Sequence, residues 1–161
     1  MKRGFIFLAV FTGLLAQSGV APPLAGFARD RAGALRPVYG MTGNFVLGAP
    51  IAQGVAAAIF DGQTGLARIQ DAVYAFNSRG QLLGQIPEEW EAPALPLTVE
   101  GDELVLRRDD GGELRTKVEG EVLEIEQMGE GWFCVHQVDR RLAVRLLDGR
   151  LEISRLPEAA P

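Results

Sequence analysis

The stretch Met128 to Gln137, MGEGWFCVHQ, holds the chain's only cysteine, Cys134, its only histidine, His136, and one of its two tryptophans, Trp132. In an extended strand these three side chains share one face, with successive ones about 6.5 Å apart. A cysteine beside a histidine is the raw material of a nucleophilic dyad, in which imidazole takes the thiol proton and leaves a thiolate to attack. Geometry weighs against that chemistry. Such dyads bring two elements together across a cleft, with a third residue orienting the base, whereas neighbours on one strand run side by side. The expectation is a small, buried, quiet Cys134 and a histidine on a sheet surface. No catalytic residue is assigned, and Trp132, Cys134 and His136 stand as candidate ligand contacts.

One cysteine and one histidine supply two ligands, and a structural zinc site takes four. Glu130 is close in sequence, but its spacing predicts no site, so neither a metal nor another cofactor is expected. The run Arg107 to Glu113, RRDDGGE, offers oxygen donors at Asp109, Asp110 and Glu113 but lacks the longer alternating series of a calcium loop. Turn chemistry alone explains Asp-Asp-Gly-Gly. PEEWE, Pro87 to Glu91, sets acids beside Trp90, as sugar sites often do, although a solvated connector gives the same string. The separation that glycoside hydrolysis needs between its two carboxyls, about 5 to 10 Å, is spatial and cannot be picked from sequence. Trp90 joins the candidate ligand contacts. There is no Gly-x-Ser-x-Gly elbow, phosphate loop or dinucleotide fingerprint, and neither Ser78 nor Ser154 sits in a nucleophile context.

The elements that must position these residues follow from the rest of the chain. Its 161 residues allow one ordinary domain. Residues 1 to 21 have the anatomy of a secretory signal: Lys2 and Arg3, an apolar run from Phe5 to Ala16, then small and polar residues. The run is shorter than the roughly 20 residues of a membrane span, so cleavage is expected after Ala16, or as late as Ala21, with no stable span left afterwards. The expected location is periplasmic or extracellular. With Lys2 and Arg3 gone, 14 basic residues face 21 acidic ones. An acidic surface disfavours nucleic acid and anionic lipid as partners.

Residues 17 to 34 read as an irregular lead-in, because Pro22 to Gly33 carries two prolines and two glycines and no periodicity. From residue 35 the pattern is β. A strand, a polar Gly turn and a second strand recur in Val73 to Ile86, Leu104 to Val118 and Ala143 to Leu156, with a looser copy in Ala57 to Ile69. Asp or Asn with Gly in each turn tolerates positive φ and matches the twist of a tight hairpin. Leu142, Val144 and Leu146 share a face, and Leu151 and Ile153 repeat the alternation beyond Asp148-Gly149. Gly80 precedes Gly112 by 32 residues and Gly112 precedes Gly149 by 37, near the period of propeller blades. Three units are laid out on this rhythm: Val38 to Ile86, Leu97 to Val118 and Glu121 to Leu156. The Pro-rich connector 87–96 joins the first two, its three prolines excluding a central strand. The fold class is all-β and antiparallel, with about three propeller-like blades in an incomplete or open arrangement, a β-sandwich as the alternative, and an N-terminal signal helix.

AIFDGQTGLARI, the ending MGEGWFCVHQVDRRLAVRLLDGRLEISRLPE and the opening LRPVYGMTGNFVLGAP resemble blade sequences of uncharacterised exported bacterial β-propeller-like proteins. The resemblance implies fold and export, and it brings no catalytic set. Propellers usually have 4 to 8 blades, so three units leave open edges that invite a second copy of the chain. The expected role is that of an exported, non-enzymatic binding or scaffold module of the cell envelope, with a protein or envelope partner. The alternative is a small hydrolase or ligand-binding propeller with its site near Trp132, Cys134 and His136.

Overall fold

A computed structural model describes residues 21–87, 89–91 and 93–159 of the chain. The signal segment expected over residues 1 to 16, and its helix, lie outside the described residues. Fourteen strands and no helix make up the secondary structure described. They form four antiparallel sheets, and in each the strands follow one another as a simple meander. The first sheet is β1 (Leu24–Arg29), β2 (Leu35–Met41) and β3 (Asn44–Leu47), and the second is β4 (Val55–Phe60), β5 (Thr64–Ile69), β6 (Ala72–Asn77) and β7 (Leu82–Ile86). The third is β8 (Leu97–Glu100), β9 (Glu103–Arg107) and β10 (Glu113–Lys117), and the fourth is β11 (Val122–Gly129), β12 (Trp132–Gln137), β13 (Arg141–Leu147) and β14 (Arg150–Arg155). No sheet closes on itself among these residues.

The hairpins read from turn chemistry are present. Asp148 and Gly149 both have positive φ, 50° and 75°, the conformation of the tight turn whose twist suits flanking antiparallel strands. Across that turn Leu146 faces Leu151 and Val144 faces Ile153. The three-unit layout is corrected. The stretch expected as one unit from Val38 to Ile86 is two sheets, separated at the loop after Leu47, and the first of them begins inside the expected lead-in with β1. The structure therefore has four units.

The lead-in hides a strand because both its faces are covered. Phe27 points into a cluster with Phe60 and Phe76, with ring centroids 4.9 and 5.1 Å away. Its neighbour Ala28 points the other way, into a cluster with Val38, Phe45, Met128, Cys134 and Ala143. A strand buried on both sides shows no polar-apolar alternation. Asp30 ends β1 by accepting hydrogen bonds from the backbone amides of Ala32 and Ala34 at 2.9 and 2.8 Å. Burial pushes the Asp30 carboxyl up, but the Arg36 guanidinium at 2.7 Å and these amides outweigh it and hold the group below the usual carboxylate range.

The fourth sheet is likewise buried on both faces. Phe133, Val135, Leu142 and Val144 pack on Leu97, Leu104 and Leu106 of the third sheet. Cys134 and Ala143 face the first. Where β1 crosses β11 the two backbones touch: a Cβ on Gly26 would overlap the Met128 carbonyl, and one on Gly129 would overlap the Ala25 carbonyl. Nothing flexible lies in the way to yield, so the crossing requires glycine on both strands. Gly26→Ala and Gly129→Ala are each expected to cost on the order of 3 kcal/mol or more. Urea denaturation checks this, and Gly43→Ala is the comparison for backbone strain alone, about 1–2 kcal/mol, since its φ is 82° and a Cβ there meets nothing within 4 Å.

Candidate functional site

The three residues that drew attention in MGEGWFCVHQ do share a face of β12, and that face looks into the protein. Cys134 is fully buried among Met128, Ala143, Val38 and Leu156. Trp132 is half-buried, with the Phe45 ring edge-on at 5.3 Å and the Arg145 guanidinium 4.7 Å from its centroid. Arg145 is held in turn by Glu152, which also accepts a hydrogen bond from the Thr42 hydroxyl at 2.9 Å. His136 Nε2 sits 2.8 Å from the Glu126 carboxylate. The histidine's partner is thus a carboxylate on the neighbouring strand, and the sulfur has no path to solvent. These three residues act together as packing and not as a cleft.

Glu126 is the residue that alternation along the chain does not find. It lies opposite Cys134 in the β11–β12 register and is 7% exposed. One of its oxygens accepts a hydrogen bond from the Ala58 amide of β4 at 3.1 Å and lies 3.3 Å from the Arg29 guanidinium of β1. The other oxygen takes His136. Arg29 also pairs with Glu124 and donates to the Ala56 carbonyl at 2.5 Å. Arg141, 1% exposed, donates to the Arg29 carbonyl and to the Pro157 carbonyl, both at 2.8 Å. The Nε atoms of Arg29 and Arg141 have no hydrogen-bond partner among the described residues. One seam of charge therefore joins β1, β4, β11, β12, β13 and the C-terminal tail. Only the register shows it, because Glu126, Arg29 and His136 are far apart along the chain and of ordinary surface type.

Burial by itself lowers the pKa of His136, but Cys134 and the Glu126 carboxylate raise it by more, and it is pushed up to about 10. The protonated imidazole completes a balanced set, with Arg29 and His136 positive against Glu124 and Glu126. Removing that proton leaves a buried carboxylate half-compensated, which is costly in a low-dielectric interior.

Trp90 lies elsewhere. The connector brings Trp90 beside the second sheet, where it lines a hollow with Leu66, Val73 and Ile86. Beside it opens a recess of about 560 Å³, rimmed by Arg68, Gln70, Asp71, Gln85 and Glu89. Two further hollows of about 390 and 340 Å³ share the same indole. Trp90, Pro93 and Leu95 also line, with residues of β4 and β11 that include Glu124 and Glu126, a smaller hollow of about 80 Å³. Among the described residues no group of three His, Cys, Asp or Glu side chains is placed to hold a metal ion, and no helix is long and apolar enough to cross a membrane. The large exposed apolar side chains, such as Met41, Leu83, Val99 and Leu123, are scattered over all four sheets.

Comparison with protein-family models, with curated proteins and with solved structures finds no match for this chain.

Two consequences follow from the charge seam. Glu126→Gln takes the carboxylate from His136 and leaves Arg29 to Glu124 and the Ala56 carbonyl, and a loss of about 3 kcal/mol is expected by urea denaturation. For His136 the folded-state pKa stands above the ordinary 6.5. Its contribution is therefore complete below about pH 6.5, shrinks as the pH rises and is gone above about pH 10. Stability measured from pH 6.5 to 8, below the range in which cysteine and tyrosine of the unfolded chain ionise, is expected to fall in the unmodified chain and to be nearly flat in His136→Gln. Equal slopes in the two proteins would contradict the assignment.

Proposed function

We propose that this chain is an exported, non-enzymatic β-repeat module that binds an envelope component or protein partner through a sheet surface. The observation that carries the reading is the division of its chemistry-bearing residues. Cys134, His136, Glu126, Arg29 and Arg141 are used inside the seam between sheets, whereas Trp90 is set over an open recess on the outside. Chemistry at Cys134 would need the sulfur to meet substrate, and its complete burial weighs against the hydrolase alternative.

A propeller-like arrangement of four short blades is the finer fold reading. Its support is that every sheet is an up-and-down meander and that first strands pack on first strands: β1 on β4, β1 on β11, β4 on β11 and β8 on β11. The first strands of the first, second and fourth sheets thus gather together, with β8 joined to them through β11, as inner strands gather about a propeller axis. Export is supported by the composition of residues 1 to 21.

The test is retention of the purified exported chain on an isolated envelope fraction in a sedimentation assay. Retention is expected, with most of it lost in Trp90→Ala. A chain that stays in the supernatant overturns the binding reading. In parallel, Cys134 is expected to resist a thiol reagent near neutral pH and to react once urea unfolds the chain. Rapid labelling of the native protein would revive the hydrolase alternative.

A further inference from the structure

We propose that the recess beside Trp90 is a binding groove for an uncharged oligosaccharide. The inference rests on the reading that this protein binds through a sheet surface, and it names the ligand class. A sugar ring has an apolar C–H face and a rim of hydroxyls, so a site for it pairs a flat aromatic surface with side chains that both donate and accept hydrogen bonds. Trp90 supplies the flat surface, and Leu66, Val73 and Ile86 of the sheet line a hollow with it. Around it stand the planar amides of Gln70 and Gln85, the guanidinium of Arg68 and the carboxylates of Asp71 and Glu89.

The balance of charge in that rim selects the ligand. Among the described residues of the rim, one cation against two carboxylates leaves a slight negative excess, which disfavours phosphate, sulfate or acidic glycans. The two amides and the fork of Arg68 suit hydroxyl groups, which give and take hydrogen bonds. A recess of about 560 Å³ lies within the usual size of small-molecule sites, about 300 to 1,000 Å³. The hollows continuing past Trp90 on the same face give room for more than one sugar unit.

The turn between β5 and β6 adds a separate observation. Gln70 occupies it with φ of 55°, a conformation that costs a residue with a side chain roughly 1–2 kcal/mol. The equivalent two-residue turn between β8 and β9 has Gly101 at φ of 64°. Glycine removes that cost in the third sheet, whereas in the second a residue with a side chain is retained, and Gln70 is among those that line the recess. Asp148 takes the same conformation in the turn between β13 and β14, at φ of 50°, so the turn itself is ordinary, and what distinguishes Gln70 is its place in the lining of the recess.

The experiment uses Trp132→Phe, which leaves Trp90 as the only tryptophan, and follows its emission during titration with cellohexaose, chitohexaose and maltohexaose. A saturable change is expected with at least one, at a Kd on the order of 0.1 mM, weakened about tenfold in Arg68→Ala. Calorimetry on the otherwise unmodified chain is expected to show the same binding and its loss in Trp90→Ala, with the melting temperature of that variant reported alongside. No saturable change with any of the three sugars overturns the inference. Binding that survives Trp90→Ala in a folded protein also overturns it. If a proline-rich or acidic peptide saturates the Trp90 signal and the sugars do not, the ligand class is wrong while the sheet-surface reading stands. If envelope retention persists and the oligosaccharide that binds fails to compete it away, the two readings separate in the other direction.

Discussion

The structure turns on one buried carboxylate. Glu126 receives an amide from β4, a guanidinium from β1 and an imidazolium from β12, and those three strands belong to three different sheets. Hydrophobic burial is not directional and by itself lets sheets slide past one another. A carboxylate that must satisfy several lone pairs away from water does not permit that. The relative placement of the first, second and fourth sheets is therefore specified by polar geometry, with Phe27, Phe60 and Phe76 supplying apolar area around it. Whether such a network adds net stability over an apolar replacement is a separate matter from the specificity it confers. The cost of its incompleteness is visible in the two arginine Nε atoms left without partners.

The same crowding explains the residue choice on β1. It is covered on one face by the aromatic cluster and on the other by the cluster around Cys134, and at Gly26 its backbone meets that of β11. Large side chains have little room there, so the middle of the strand, Ala25 to Ala28, is written in Ala, Gly and a single Phe. Cys134 follows the same logic. It faces Ala143 across the strand pair and Ala28 and Val38 in the first sheet, a site for a small apolar group, which is how a buried thiol behaves.

Legibility in the sequence divides along this line. Hairpins with one solvated turn of Asp, Asn and Gly were readable, because the turn must adopt positive φ and only a few residues tolerate that. The all-β class and the shared face of Trp132, Cys134 and His136 follow from a period of two and are observed in β12. The strand in the lead-in was not readable, since a doubly covered strand of small residues looks like a flexible segment. The split of the expected first unit was missed for a related reason: β2 and β3 look like the beginning of the next sheet unless their pairing with β1 is known. The partner of His136 was invisible because Glu126 lies ten positions away on another strand, and only the register brings them to 2.8 Å.

The outer surface carries charge in two different ways, and the contrast bears on where the protein meets other molecules. On the third sheet Arg107 and Arg115 are cross-braced by Glu100, Glu103 and Glu113 in an exposed ladder. Such pairs contribute little stability individually, but they leave few donors or acceptors free and keep a short open sheet from pairing edge to edge. Among the described residues the second sheet has no comparable ladder on the face beside Trp90. That face is apolar at Leu66, Val73 and Ile86, and the connector shields it only in part. A tryptophan beside apolar neighbours satisfies burial by itself, yet its polar rim stays in water and Gln70, at positive φ, remains among it. Burial accounts for the indole and leaves the rim without a structural use, so the rim is where recognition has room to act.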